Sequence, residues 1–143
     1  MAFLKPDKFE EVIEASNKKY GLIESESTGT DSYTVFNPFA RMFVATSGVM
    51  SMAKENECFW ALDVVASYAN KIIREFQKTT NTFYVVHVLK NMEDSGATFY
   101  LSDGDYNILI TQKIPFSDIP KNLYMFLQFD GGQHFVLMMP SEY

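Results

Sequence analysis

The stretch that decides the fold is Glu57–Lys78, ECFWALDVVASYANKIIREFQK, in the middle of the chain. Its apolar residues recur at steps of three and four, which places them on one side of a helix. They are Phe59, Leu62, Val65, Ala66, Ala69, Ile72, Ile73 and Phe76. Neither glycine nor proline interrupts the segment, so it predicts one amphipathic helix of about six turns. Such a helix needs a large apolar partner, which the second half of the chain can supply.

That second half changes from a period of 3.6 to a period of 2, which predicts β-strands. The expected strands are residues 83–89, 98–101, 107–114, 123–129 and 134–139. Turn sequences at Ser102–Asp105 and Asp130–Gly132 favour hairpins between neighbouring strands. The sequence therefore predicts an α+β fold in one domain, residues 1–143. N-terminal helices, the long one laid across a sheet face, pack on a C-terminal antiparallel meander of about five strands.

Two further helices are expected upstream of the long one. Asp7 and Glu10 have the spacing of a capping box, and Gly21 is placed to end a first helix. Thr46-Ser47-Gly48 offers an N-cap for a second, short helix that runs to about Asn56. Residues 24–32 are polar and predict a loop. Residues 33–45 are apolar, but Pro38 forbids a regular central strand there, so an extended piece or short helical turns are expected.

Composition limits the class of function. The chain has 143 residues, 47% of them apolar and 21% charged, which is typical of one globular domain. A net charge of −6 argues against binding to nucleic acid or to anionic membranes, and is compatible with a basic protein partner. The single cysteine allows no intrachain disulfide, and neither a signal peptide nor a membrane-spanning run is apparent. These features predict a cytoplasmic protein.

Three candidate site residues lie on the long helix. Trp60, Asp63 and Ser67 are spaced i, i+3 and i+7, so they share one side of it. One interpretation is a polar recognition spot beside an aromatic anchor. The other, which we favour, is structural: Trp60 fills the core, and a buried Asp63 accepts hydrogen bonds that tie the segment Thr46–Val49 to the helix.

Three more candidates lie in the second half of the chain. Gln112 is a candidate, with Trp60 and Asp63, for a pocket between the long helix and the sheet. Glu142 and Tyr143 follow the last predicted strand directly. Tyr143 either docks against the sheet or a helix, or presents its ring to a partner.

The sequence lacks the usual signatures of catalysis and metal binding. Two histidines and one thiol, Cys58, are too few for a zinc site, which needs about four ligands. No nucleophile elbow or glycine-rich phosphate loop is present in the sequence. The sequence thus predicts no catalytic residue, metal or cofactor.

A set of short motifs occurs in a fixed order along the chain. They are Thr46-Ser47-Gly48-Val49, Trp60-Ala61-Leu62-Asp63, Asp103-Gly104, Gln112-Lys113-Ile114-Pro115, Ser117-Asp118-Ile119-Pro120 and Pro140-Ser141-Glu142-Tyr143. Over about residues 36–143 they resemble a family of small bacterial and mobile-element proteins known only as a domain of unknown function. Ser47 stands where that family usually has Asp, Ser117 where it has Thr, and Ile119 where it has Phe. The resemblance implies helices followed by a sheet and a phage or mobile-element origin, and no reaction.

The strand at residues 83–89 is apolar on both alternating faces. One face is expected to pack on the long helix, and the other on a helix, on residues 33–45 or on another molecule. We therefore expect a non-enzymatic binding module that acts as an inhibitor or immunity-type protein. Its partner would be a nucleic-acid-binding host or defence protein, and a second copy of the chain is another candidate. The alternative is a small-ligand-binding protein or enzyme that uses the pocket near Gln112.

Overall fold

The structure is a computed structural model and describes residues 3–25 and 32–143. The described chain falls into two compact units, each made of two stretches. The first unit is Met1–Glu24 with Tyr84–Met125, and the second is Ser25–Phe83 with Phe126–Tyr143. The loop predicted at residues 24–32 lies largely outside the described residues. The α+β class is confirmed, whereas the single domain stays a prediction.

Four α-helices, seven strands and a 3₁₀ turn are present in the described residues. The helices are α1 (Pro6–Tyr20), α2 (Ser47–Glu55), α3 (Phe59–Ser67) and α4 (Ala69–Thr79), and the 3₁₀ turn is Pro140–Glu142. The strands are β1 (Tyr33–Val35), β2 (Phe43–Thr46), β3 (Phe83–Lys90), β4 (Ala97–Ser102), β5 (Ile108–Ile114), β6 (Leu123–Phe129) and β7 (Phe135–Met138). The five strands expected from the period-2 pattern are confirmed to within one residue at either end.

The first unit packs α1 against an antiparallel meander. β3 pairs with β4, and β4 with β5, both antiparallel. Phe9 and Ile13 of α1 form an apolar cluster with Leu89 and Ile108 of the strands. The capping box predicted at Asp7 and Glu10 is wrong, because the helix already begins at Pro6, which places Asp7 inside its first turn, and it has no side-chain cap. Its predicted C-cap is confirmed: Gly21 has φ of 76° and donates its N–H to the Asn17 carbonyl oxygen.

A buried asparagine ties α1 to the strands of this unit. The Asn122 side chain accepts a 2.8 Å hydrogen bond from the Lys90 N–H. Its amide donates to Ser16 Oγ at 2.8 Å and to Asn17 Oδ1 at 2.9 Å, both near the end of α1. Asn122 is fully buried, so these bonds replace water at every polar atom of its side chain.

The second unit holds β1, β2, β7 and residues 126–129 of β6, paired in the order β1-β2-β7-β6. β1–β2 and β7–β6 are antiparallel, but β2 pairs with β7 in parallel. The predicted purely antiparallel meander is therefore wrong, because β2 from the segment at residues 33–45 pairs with the last strand. Pro38 lies in the turn between β1 and β2, where its missing N–H breaks no ladder. Phe76 of α4 packs against Phe129 and Phe135, with ring centroids 4.6 and 5.6 Å away.

The predicted long helix at Glu57–Lys78 is two helices that meet at Tyr68. The Ser67 hydroxyl donates to the Val64 carbonyl oxygen at 2.6 Å, the acceptor that the Tyr68 N–H would use in a regular helix. The Tyr68 N–H bonds instead to Val65, one residue nearer, at 3.1 Å. A serine that competes for the backbone in this way bends a helix, and here it ends one.

Two features upstream of this break are the N-cap of α2 and the single cysteine. Thr46 caps α2 as predicted, since its Oγ accepts from the Val49 N–H at 3.2 Å. Cys58 precedes α3 and is fully buried, with its Sγ 3.6 Å from the sulfur of Met52. The one thiol of the protein is thus a core side chain.

Candidate functional site

The three α3 candidates lie on one side of their helix, as their spacing predicts. Trp60 is half-buried, and Asp63 and Ser67 are exposed. The prediction that a buried Asp63 ties Thr46–Val49 to the helix is wrong. Its carboxylate lies at the surface, where Oδ1 accepts a 3.4 Å hydrogen bond from the Asn37 side chain. The segment that Asp63 contacts is the turn after β1.

That turn presents an aromatic ring to solvent. Asn37 Oδ1 accepts the Phe39 N–H at 2.9 Å, and the Asn37 carbonyl oxygen accepts the Ala40 N–H at 3.1 Å. These bonds and the one to Asp63 hold the backbone of the turn in place. The Phe39 side chain is nevertheless 98% exposed. A rigid backbone that carries a fully exposed aromatic side chain is typical of a contact residue, since it brings apolar area with little entropy to lose.

Two further aromatic residues lie on the same side of α3 as Asp63. Phe59 and Trp60 precede it by four and three residues, so they lie one helical turn away. Phe59 is 44% exposed, and Trp60 is half-buried. We call Asn37, Phe39, Phe59, Trp60 and Asp63 the Phe39 patch. It combines aromatic area with one exposed carboxylate, and all of it belongs to the second unit.

Glu142 makes the contact to the Thr46–Val49 segment that the sequence predicted for Asp63. Its Oε1 accepts from the Thr46 hydroxyl at 2.7 Å and from the Met139 N–H at 3.0 Å. The carboxylate also lies over Gly48, where a β-carbon would be 2.5 Å from Oε1. A carboxylate at the first turn of α2 is favoured by the helix dipole. The Thr46–Val49 and Pro140–Tyr143 motifs therefore meet in space.

This contact makes the effect of Gly48→Ala depend on Glu142. In the natural protein the new methyl group should displace the carboxylate and destabilise the fold by about 1 kcal/mol, since two hydrogen bonds to an ionised group are lost. In a Glu142→Ala background the same substitution should stabilise by about 0.5 kcal/mol, because alanine is the better helix former. Urea unfolding of the four proteins measures both values. Equal effects in the two backgrounds would contradict the contact.

Tyr143 and Gln112 lie elsewhere. The Tyr143 ring packs edge-on against Phe83 and Phe126, with centroids 5.4 and 5.2 Å away, and still has 70% of its surface exposed. It thus has features of both predicted interpretations. Gln112 is half-buried on β5 of the first unit, whereas Trp60 and Asp63 belong to the second unit.

His87 is a deeply buried acid–base group among the described residues. It is 2% exposed, and burial lowers its pKa from 6.5 to about 4. Its ring lies edge-on to Phe9 at 5.2 Å and 5.2 Å from the ring of Tyr124. Nε2 is 3.4 Å from the Ser102 hydroxyl, and Nδ1 has no hydrogen-bond partner among the described residues. A histidine enclosed in this way cannot reach a substrate.

Neither a metal-ligand cluster nor a membrane-spanning helix is found in residues 3–25 and 32–143. No group of three or more His, Cys, Asp or Glu side chains there is placed to hold a metal ion. No helix in the same residues is long and apolar enough to cross a bilayer.

The comparisons with known proteins concern the second unit and most of the first. The model of a family of unknown function, DUF6876, matches residues 25–143. The chain belongs to this family. The resemblance to a domain of unknown function is thus confirmed, and the DUF6876 match begins after α1 (Pro6–Tyr20). No curated protein and no solved structure shows significant similarity to the chain.

Three residues of the Phe39 patch were not candidates from the sequence: Phe59, which was placed on the apolar stripe of the long helix, and Asn37 and Phe39. Asn37 and Phe39 both lie in the apolar segment 33–45, for which an extended piece or short helical turns were predicted. The sequence Asn37-Pro38-Phe39 does contain a signal, because Asn followed by Pro favours a turn, and turns lie at the surface. The DUF6876 match includes both residues.

Proposed function

We propose that this protein is a non-enzymatic binding module whose Phe39 patch contacts another protein. One observation carries the proposal: the Phe39 ring is 98% exposed on a turn in which Asn37 accepts hydrogen bonds from the Phe39 and Ala40 N–H groups. Burial of a phenylalanine side chain contributes about 1.5–3 kcal/mol, so a partner that covers this ring gains a large part of a hot spot. Phe59 and Trp60, on the same side of α3 as Asp63, supply additional aromatic area to the patch.

The partner that best fits the patch has an apolar pocket flanked by basic side chains. The chain carries a net charge of −6, which attracts a basic surface, and the exposed carboxylate of Asp63 can pair with Arg or Lys. Nucleic-acid-binding proteins present such surfaces. We therefore propose a cytoplasmic inhibitor or immunity-type protein that is encoded by a phage or other mobile element. It would bind the basic surface of a nucleic-acid-binding host or defence protein.

A second copy of the chain is not needed to cover the apolar faces of β3. Residues 84–89 of this strand are all buried within a single chain. A second copy that contacts the Phe39 patch is instead one outcome of the experiment below.

Site-specific crosslinking tests the patch directly. The photoreactive substitution Phe39→p-benzoylphenylalanine is compared, in the organism that encodes the protein, with the same substitution at Phe116. Phe116 is a matched control, because it is also an exposed phenylalanine, with 73% of its surface accessible. We expect a partner with a basic surface to crosslink at position 39 and not at 116. A second copy captured at position 39, or equal capture at both positions, would contradict the proposal.

Once the partner is purified, its affinity for variants of the Phe39 patch can be measured. Phe39→Ala should weaken its binding at least about tenfold, because the exposed ring is the centre of the contact. Phe116→Ala should leave the affinity unchanged, and Asp63→Lys should weaken binding and reduce its dependence on salt. Isothermal titration at two salt concentrations measures all three. Unchanged affinity for Phe39→Ala would show that another surface forms the interface.

A further inference from the structure

The first unit contains an open cleft beside α1 with a volume of about 340 Å³. Its lining comes from α1 (Val12, Ala15, Ser16), from β3 and β4 (Leu89, Lys90, Thr98, Tyr100) and from the turn between these strands (Asn91, Met92, Glu93). Clefts of this size accept small organic molecules. We propose that this cleft binds a small organic carboxylate with an apolar body. This goes beyond the protein-binding function, because the cleft and the Phe39 patch share no residue.

The apolar part of the lining suits an aliphatic or aromatic group. Val12, Ala15, Leu89 and Met92 contribute it, together with the ring of Tyr100. Val12 and Met92 are 38% and 49% exposed, so a bound apolar group would remove their side chains from water. Burial of this kind is favourable by about 25 cal/mol per Å².

Tyr100 supplies a hydrogen-bond donor at a fixed place. Its ring packs against Phe9 with centroids 4.8 Å apart, which fixes the orientation of the phenol. Tyr100 is half-buried and lines the cleft. Burial raises the pKa of Tyr100, so the hydroxyl keeps its proton at neutral pH and can donate it to a carboxylate.

Lys90 supplies a positive charge. Within the described chain no carboxylate lies within ion-pairing distance of its ammonium. The Lys90 Nζ is 5.3 Å from the centre of the Tyr20 ring, and the Lys19 Nζ is at the same distance from that ring. Lys19 and Tyr20 do not line the cleft, so Lys90 is the side chain that brings positive charge to its lining.

The remaining polar side chains of the cleft are mostly engaged. Asn91 donates to Asp94 at 2.8 Å, and its Oδ1 accepts from the Thr98 hydroxyl, also at 2.8 Å. The charged side chains of the lining are Lys90 and Glu93, of which Glu93 is exposed and Lys90 half-buried. Because Lys90 is the more enclosed of the two and the Tyr100 phenol adds a donor, a ligand that brings acceptors fits the cleft better than one that brings an ammonium group.

Three probes with the same ring and chain distinguish the charge that the cleft selects. They are 3-phenylpropanoate, which carries only a carboxylate, 2-phenylethylammonium, which carries only an ammonium, and phenylalanine, which carries both. Amide chemical-shift titrations of the full chain are followed at Val12, Ala15 and Thr98. We expect 3-phenylpropanoate to bind with Kd of about 1 mM, a value ordinary for a ligand of this size. The ammonium probe should bind at least tenfold more weakly.

Two variants assign the contacts. Tyr100→Phe keeps the ring and removes the hydroxyl, and should weaken 3-phenylpropanoate binding about fivefold. Lys90→Met removes the charge and should weaken it about tenfold. Tyr124→Phe is the matched control, because Tyr124 is another half-buried tyrosine and does not line the cleft.

Three results would overturn the proposal. The first is the absence of shifts at the three cleft amides with 10 mM 3-phenylpropanoate, a concentration about tenfold above the expected Kd. The second is equal or tighter binding of 2-phenylethylammonium, which would assign the cleft to cations through Glu93. The third is an equal effect of Tyr100→Phe and Tyr124→Phe.

Discussion

Asn122→Ala is expected to cost about 3–5 kcal/mol of folding free energy, which is a large part of the stability of a small protein. The substitution removes the acceptor of the Lys90 N–H and the donor to Ser16 and Asn17. All of this happens at a fully buried position, so water cannot replace the lost partners. A buried polar group without a partner costs about 1–3 kcal/mol, and more than one such group is created here.

Urea unfolding followed by circular dichroism measures this loss. Asn107→Ala is the matched control, because Asn107 is exposed and its side chain donates one described hydrogen bond, to Asp103 at 2.9 Å. The control should lose less than about 1 kcal/mol. If Asn122→Ala lost no more than the control, the three bonds would not hold α1 to the strands in solution.

His87 is expected to make the protein sensitive to mild acid. Burial lowers its pKa from 6.5 to about 4, so the folded protein keeps the ring neutral at pH values where the unfolded chain protonates it. Its effect on stability is absent well above pH 6.5 and grows as the pH falls towards 4. The loss attributable to this residue is about 2 kcal/mol at pH 5 and about 3 kcal/mol at pH 4.

His87→Leu isolates this effect from the carboxyl groups that also titrate in acid. Leucine has a similar volume and no charge, so the variant should lose about 2 kcal/mol less than the natural protein between pH 7.5 and pH 5. Leucine also removes the buried Nδ1 that has no partner among the described residues. Parallel pH curves for His87→Leu and the natural protein would contradict the assignment.

Features set by local sequence were predictable. The alternation of apolar residues in β3 to β7 depends only on the pleat of a strand, so each of these strands was located within a residue. The Thr46 cap and the Gly21 end of α1 follow from side-chain and backbone chemistry within a few residues. The helix break at Ser67 was missed, because an apolar period says nothing about which group a serine hydroxyl bonds to.

Features set by distant contacts were not predictable. The parallel pairing of β2 with β7 joins residues about ninety positions apart, and no local pattern reports it. The burial of Asn122 has the same cause. At the candidate site, the spacing of Trp60, Asp63 and Ser67 gave the correct side of α3. The exposure of Asp63 and of Phe39 depends on what packs nearby, so the sequence alone predicted the opposite for Asp63.

The burial of Cys58 gives the protein a chemical reporter of its own opening. A thiol reagent reacts only with an exposed thiolate, so the labelling rate of this single cysteine measures how often the second unit opens. Asn122 belongs to the first unit. If both units unfold together, a loss of about 3–5 kcal/mol at Asn122 should accelerate labelling of Cys58 by about a hundredfold to several thousandfold. No engineered residue is needed, because the natural chain has one thiol.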